Sequence, residues 1–203
     1  MPLNRIIVIG ASAGGVPALC KLVATMPLDW SAAVFIALHT SPKSKLPEVL
    51  NRCIGDGSIQ YLACGDEIRP GKVYVADPAR HLKIKLGFVS MAKNSSAPRF
   101  RPSIDFLFLN AARAYGPRVI GVVLTGLLND GAAGLAAIKA NGGVAIVQDP
   151  RDARFPDMPF NAMKVTVPDY CLPVSEISNQ LRQLVAATPL ARRSKPWLKT
   201  SSG

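Results

Sequence analysis

A chain of 203 residues, 49% hydrophobic and 18% charged, carries enough apolar material to build the core of one globular domain. No apolar run reaches membrane-spanning length, and the N-terminus lacks the basic, apolar and small-residue order of a signal peptide, so the expectation is a cytoplasmic protein with no membrane insertion. The net charge of +11 suits an acidic macromolecular partner, while the 6% aromatic content and the lack of a nucleic-acid motif speak against nucleic acid.

Four of those charges belong to Arg192, Arg193, Lys195 and Lys199, in a stretch with no acid. The expected division is a globular domain over 1–187 and a basic, disordered tail from Thr188 to Gly203. Cys20, Cys53, Cys64 and Cys171 are scattered, with no C-x-x-C pair, which reads as reduced core thiols rather than disulfides or zinc ligands.

The first element is Arg5-Ile6-Ile7-Val8-Ile9, a β-branched run suited to a strand buried on both faces. Gly10-Ala11-Ser12-Ala13-Gly14-Gly15 turns from it into a helix over Val16–Val23. Ser12 thus falls at the carboxyl end of a strand and the amino end of a helix, where unpaired N–H groups cap a phosphate or hold an oxyanion. Val34–Leu38 is a second buried strand, with His39 directly after it, and Leu46–Ile54 is a helix. Two strand–helix units in succession predict a parallel sheet with helices on both faces.

The middle of the chain changes character. Gly65–Gly71 reads as a turn and Lys72–Ala76 as a strand. Leu82–Leu86 alternates with period two, and Gly87 turns it into Phe88–Met91, an antiparallel hairpin inserted between parallel units. His81 lies beside it and is read as structural. Asn94–Pro102 is a polar, basic loop.

Parallel signals then return. Ser103–Ala114 is a helix opened by Pro102 and Ser103, Arg118–Leu124 a strand, and Thr125–Gly131 the turn after it. Ala132–Ala140 is a helix ended by Asn141-Gly142-Gly143, and Val144–Val147 a strand. Gln148–Pro159, charged and proline-rich, reads as a functional loop, and Val174–Ala187 as a closing helix. The fold class expected is α/β: an open, mainly parallel sheet, helices on both faces, and the inserted antiparallel hairpin.

Ser12, His39 and Asp130 each follow a predicted parallel strand, and sites in open α/β sheets form outside the carboxyl ends of strands. A hydroxyl, an imidazole and a carboxylate delivered to one edge are the inventory of a serine hydrolase. Each has a plainer reading: Ser12 and Asp130 as helix caps, Asp130 before Gly131-Ala132, and His39 as a polar strand end. Gly10-Ala11-Ser12-Ala13-Gly14 matches the G-x-S-x-G nucleophile elbow, but the order Ser, His, Asp departs from that of α/β-hydrolases. The dinucleotide fingerprint fails because Ser12 takes the middle glycine position and no acid ends the second strand.

These segments together resemble the catalytic domain of the chemotaxis protein-glutamate methylesterase family. The resemblance runs through Ile9–Gly15, Leu38-His39, Val73–Ala76, His81-Leu82, Arg101–Asp105, Tyr115–Gly126, Asp130–Gly134 and Met158-Pro159, covering roughly Arg5 to Val185. It implies hydrolysis of glutamate γ-methyl esters on cytoplasmic helices of methyl-accepting chemoreceptors or similar acidic helical proteins, with glutamine deamidation in many members. It implies Ser12 as nucleophile, His39 as general base and Asp130 as its orienter. The backbone N–H groups of Ala13 and Leu127 would bind the oxyanion, and no cofactor or metal is called for. Two positions depart from the pattern: Ala13, where members often carry Thr, and Leu127-Leu128, where they often carry Met-Gly.

Typical members carry an N-terminal receiver domain that covers the site. Here the first strand begins at Arg5, so the expectation is an open, phosphorylation-independent esterase with any regulatory protein acting in trans. Two other readings are weighed. A patatin-like acyl hydrolase would use a Ser–Asp dyad and leave His39 idle. A non-catalytic receptor-binding module would need none of the three residues.

Overall fold

A computed structural model describes residues 3–27, 29–55, 57–92 and 102–187. The β-branched opening run forms β1 (Arg5–Ala11), buried along its whole length. It leads through α1 (Gly15–Val23) to an equally buried β2 (Ala32–Leu38), and then to α2 (Leu46–Ile54). Two short strands follow, β3 (Gln60–Tyr61) and β4 (Val73–Val75), and then the hairpin β5 (His81–Ile84) and β6 (Val89–Ala92). Next come α3 (Ile104–Tyr115), β7 (Val119–Val123), α4 (Ala132–Ala140) and β8 (Val144–Gln148). The described part closes with α5 (Asp157–Val165), β9 (Tyr170–Leu172) and α6 (Val174–Ala186).

The large sheet runs in the order β3-β4-β2-β1-β7-β8-β9, and each pairing in it is parallel. The chain moves outward from β1 in one direction and then returns to place β7 on β1's other edge. The order therefore reverses between β1 and β7, and such a switch point opens a crevice at the strands' carboxyl ends. β5 and β6 pair antiparallel as a separate two-stranded sheet.

Alternation along each strand sorts the core into two layers. Ile6, Val8 and Phe35 pack with Phe108 of α3, Leu135 of α4 and Leu82 of the hairpin. Ile7, Ile9 and Ile36 pack with Leu19 and Leu22 of α1, Leu50 of α2 and Leu181 of α6. Burying both faces is what makes the central strands read as continuous apolar runs. Among the described residues, no helix is long and apolar enough to cross a membrane.

Several expectations are corrected. Cys20 of α1 and Cys53 of α2 form a disulfide with Cα atoms 5.5 Å apart, and Cys64 and Cys171 are exposed. Four reduced core thiols are therefore not what the fold contains, because two adjacent helices bring together cysteines separated by 33 positions. The stretch read as a loop over Gln148–Pro159 already contains the end of β8 and the start of α5. The edge strands β3 and β9 are too short to leave a periodic signal. His81 opens β5, buried, with its ring 5.3 Å from that of Phe106. Most of the Asn94–Pro102 loop and the whole tail from Thr188 lie outside the described residues.

Candidate active site

The central strands deliver the three candidate residues side by side. Ser12 directly follows β1, and His39 directly follows β2. The His39 N–H donates to the Ala11 carbonyl at 3.2 Å, which carries the β1–β2 register one residue past the strand end. On the other edge the Ser12 N–H donates to the Thr125 carbonyl at 3.0 Å and the Leu124 N–H to the Gly10 carbonyl at 2.9 Å. Gly14, just before α1, has φ 73°, a left-handed backbone that lets the chain turn sharply after Ser12.

Ser12 Oγ stands 3.2 Å from His39 Nδ1, and His39 Nε2 stands 2.7 Å from Asp130 Oδ2. An ionised carboxylate only accepts, so His39 carries its proton on Nε2 and donates it to Asp130. Nδ1 is left with a lone pair facing Ser12, whose hydroxyl donates to it. The His39 side chain is 15% exposed and that of Asp130 only 4%. The imidazole thus reaches the surface while the carboxylate beside it stays out of water.

Asp130 is not the cap of α4 that its position before Gly131-Ala132 suggests, since α4 starts after Gly131 without a side-chain cap. Its carboxylate turns instead to the start of α3. Oδ2 accepts the Ile104 N–H at 2.8 Å, and Oδ1 accepts the Asp105 N–H at 2.9 Å and the Ser103 hydroxyl at 3.2 Å. Burial pushes the Asp130 carboxyl up, but the hydrogen bonds from His39 and from the Asp105 and Ile104 N–H groups outweigh it and hold the group below its ordinary value. Asp105 goes the other way: burial, aided by the charge of Asp130, raises it against the N–H groups it accepts from α4.

The turn after β7 lies against Ser12. A Cβ at Gly126 would collide with Met158 Sδ and stand 2.8 Å from Ser12 Cβ, so only glycine fits there. Among the described residues, neither the Ala13 nor the Leu127 N–H donates a hydrogen bond, whereas the Ser12 N–H is spent on Thr125. Leu128, where the resemblance sets glycine, has φ 66°, a strained conformation for leucine, and its carbonyl accepts from Asn161 Nδ2 at 2.8 Å.

Four supporting groups escaped the sequence reading. The Thr125 N–H donates to Gln148 Oε1 at 2.8 Å, and the Thr125 hydroxyl accepts the Phe155 N–H at 2.9 Å. Met158 N–H donates to the Gly126 carbonyl at 3.0 Å. Ser103 was read only as a helix start, yet its hydroxyl serves both the Phe106 N–H and Asp130. Thr125-Gly126, Ser103 and Met158 all belong to segments that carry the family resemblance, but neither spacing nor period says what they touch. Leu127 and Leu128 on the same loop and Phe160 and Met163 on α5 are exposed apolar side chains. Among the described residues, no group of three or more His, Cys, Asp or Glu is placed to hold a metal ion.

A doubly covered α/β sheet with a serine, a histidine and an aspartate hydrogen-bonded in a row at its switch point defines a class of candidate hydrolytic folds. Within it, the family described as CheB methylesterase matches residues 7–181, and the chain belongs to that family. A putative protein-glutamate methylesterase/protein-glutamine glutaminase of Leptospira interrogans is 38% identical over 179 residues, 85% of this chain and 90% of that protein. A protein-glutamate methylesterase/protein-glutamine glutaminase of Anaeromyxobacter dehalogenans is 35% identical over 89% of this chain but only 53% of its own length. The chain thus spans nearly all of one relative and about half of the other. The crystal structure of the Thermotoga maritima CheB methylesterase catalytic domain superposes with a TM-score of 0.84 at 29% identity, over 89% of this chain and 98% of that one.

Proposed function

We propose that the chain is a serine esterase that hydrolyses glutamate γ-methyl esters on the helical cytoplasmic segments of methyl-accepting chemoreceptors. The observation that carries this reading is the relay Ser12–His39–Asp130, at 3.2 and 2.7 Å, at the switch point of the sheet. Ser12 Oγ attacks the ester carbonyl while His39 Nδ1 takes its proton. The Asp130 carboxylate stabilises the imidazolium that forms. The oxygen of the tetrahedral intermediate receives the N–H groups of Ala13 and Leu127. The intermediate then expels methoxide, which leaves as methanol with the proton from His39. Water, deprotonated by the same Nδ1, attacks the glutamyl ester, and Ser12 and the glutamate carboxylate are released.

The same steps deamidate a glutamine if ammonia replaces methanol as the leaving group, in keeping with the double name of the relatives. The net charge of +11 favours an acidic helical partner, and the exposed Leu127, Leu128, Phe160 and Met163 favour one with an apolar stripe. A Ser–Asp dyad fits less well, because the imidazole stands between Ser12 and Asp130 and bonds to both.

The test is methanol release from methylated receptor membranes, with active-site labelling by a fluorophosphonate alongside. The wild-type protein is expected to release methanol and to be labelled at Ser12. Ser12→Ala is expected to lose both, by about 10⁴-fold or more in rate, with its melting curve retained. Methanol release by a folded Ser12→Ala protein refutes the reading, as does a wild-type protein that the reagent never labels.

A further inference from the structure

Two carboxylates are exchanged between two helices beside the site. Asp130, at the start of α4, accepts the Ile104 and Asp105 N–H groups that open α3. Asp105, in the first turn of α3, returns the exchange. Its Oδ1 accepts the Gly131 N–H at 2.9 Å and the Gly134 N–H at 2.6 Å, the groups that open α4. Each helix is thus capped by the other's acid, and neither acid serves its own helix. The two helices touch closely at this point: a Cβ at Gly134 would lie 2.5 Å from Phe108 Cβ and 3.1 Å from Asp105 Cα. Asp130 is the residue immediately before Gly131, so a bond that holds the Gly131 N–H holds the backbone from which the Asp130 side chain projects.

We infer that Asp105 is a positioning residue for the esterase reaction: its acceptor oxygen clamps the start of α4 so that Asp130 stays against His39 Nε2. It touches neither substrate nor the reacting atoms, and it works through Gly131. The clamp needs an oxygen at the place of Oδ1 and does not need a charge. Oδ1 takes both N–H groups, and the residue is half-buried, so an amide nitrogen is tolerated at Oδ2. The plainer account is that Asp105 is a helix cap and nothing else. The two accounts part at the His39–Asp130 bond.

The inference rests on the reading of Ser12 as nucleophile, so its test avoids the receptor. The rate of Ser12 labelling by a fluorophosphonate is measured on the full chain at a temperature where every variant is folded. The downfield proton resonance of the His39 Nε2–H is recorded on the same samples. Asp105→Ala is expected to label about 10- to 100-fold more slowly, the loss that follows a small misplacement of a catalytic group, and to lose or shift the downfield resonance. Asp105→Asn keeps the oxygen and is expected to restore both, within about threefold of the wild-type labelling rate.

An Asp105→Ala protein that melts earlier but labels at the wild-type rate with the resonance unmoved reduces Asp105 to a cap and overturns the inference. An Asp105→Asn protein as slow as Asp105→Ala also overturns it, because charge rather than the acceptor would then matter. If Asp105→Ala does not fold, the Asp105→Asn rate and Asp105→Ser, whose shorter side chain cannot span to α4, decide the question by the same two measurements. A wild-type protein that is not labelled at all refutes the nucleophile reading instead, so the two failures are distinguishable.

Discussion

Replacing Asp130 by Asn exchanges one oxygen for an NH2 in a carboxylate that accepts four hydrogen bonds. Oδ2 serves His39 Nε2 at 2.7 Å and the Ile104 N–H at 2.8 Å, while Oδ1 serves the Asp105 N–H at 2.9 Å and the Ser103 hydroxyl at 3.2 Å. If the amide nitrogen takes the place of Oδ2, it faces two donors. The Ile104 N–H then loses its acceptor. His39 must move its proton to Nδ1, where it blocks transfer from Ser12. If the nitrogen takes the place of Oδ1, the Asp105 N–H is left unpaired instead, Ser103 turns to accept, and His39 keeps its tautomer.

Either orientation strands one buried N–H, which costs about 1–3 kcal/mol. Loss of a negative charge from the start of α3 adds about 0.3–1 kcal/mol. The expected stability loss is therefore about 1–4 kcal/mol, read by urea or thermal unfolding. The rate falls further, because the imidazolium of the transition state loses its charged partner and part of the population holds the wrong tautomer; about 10³- to 10⁴-fold is expected. Methanol release and fluorophosphonate labelling are to be measured where circular dichroism shows both proteins fully folded. Full activity with the stability loss alone would refute the reasoning, and would leave Asp130 as nothing more than the cap of α3.

Further outcomes follow from the same geometry. Because Asp130 is held below its ordinary pKa, its ionised form stabilises the fold in full above the unfolded value. That contribution is lost as pH falls through the depressed folded value, so Asp130→Asn should flatten the acid side of a plot of Tm against pH; an unchanged slope contradicts the assignment. Gly126→Ala should lose about 1–3 kcal/mol through overpacking against Met158 and slow Ser12 labelling by about 10²-fold, and a wild-type labelling rate would show that the β7 turn does not hold Ser12. Leu128→Gly should raise stability by up to about 1 kcal/mol, since an exposed leucine at φ 66° has more strain to lose than burial, and a lower Tm would contradict the strain argument. Cys53→Ser should cost about 3–4 kcal/mol in the oxidised protein, from a cross-link spanning 33 positions, and leave labelling unchanged, which a Tm insensitive to dithiothreitol would rule out.

What the amino-acid sequence determines here is whatever is local or periodic. The continuous apolar runs at Ile6–Ile9, Val34–Leu38 and Val119–Val123 announce strands covered on both faces, and Pro102 and Ser103 announce the start of α3. Because parallel strands share a polarity, the residues after them share an edge, and Ser12, His39 and Asp130 are legible as candidates before any distance is known. The short strands β3 and β9 are not legible in this way, since two or three residues hold no period and pair only because a neighbour is already in place. The pairing of Cys20 with Cys53 depends on how α1 lies on α2, which no spacing encodes. The direction of the Asp130 side chain is the clearest case. Local chemistry pointed it at the helix it precedes, but the start of α3, brought within 2.8 Å by packing against α4, supplies better donors and aligns the carboxylate with His39. A capping residue bonds to whichever unpaired N–H groups the tertiary fold brings closest, and those belong here to a helix that begins some 26 residues earlier in the chain.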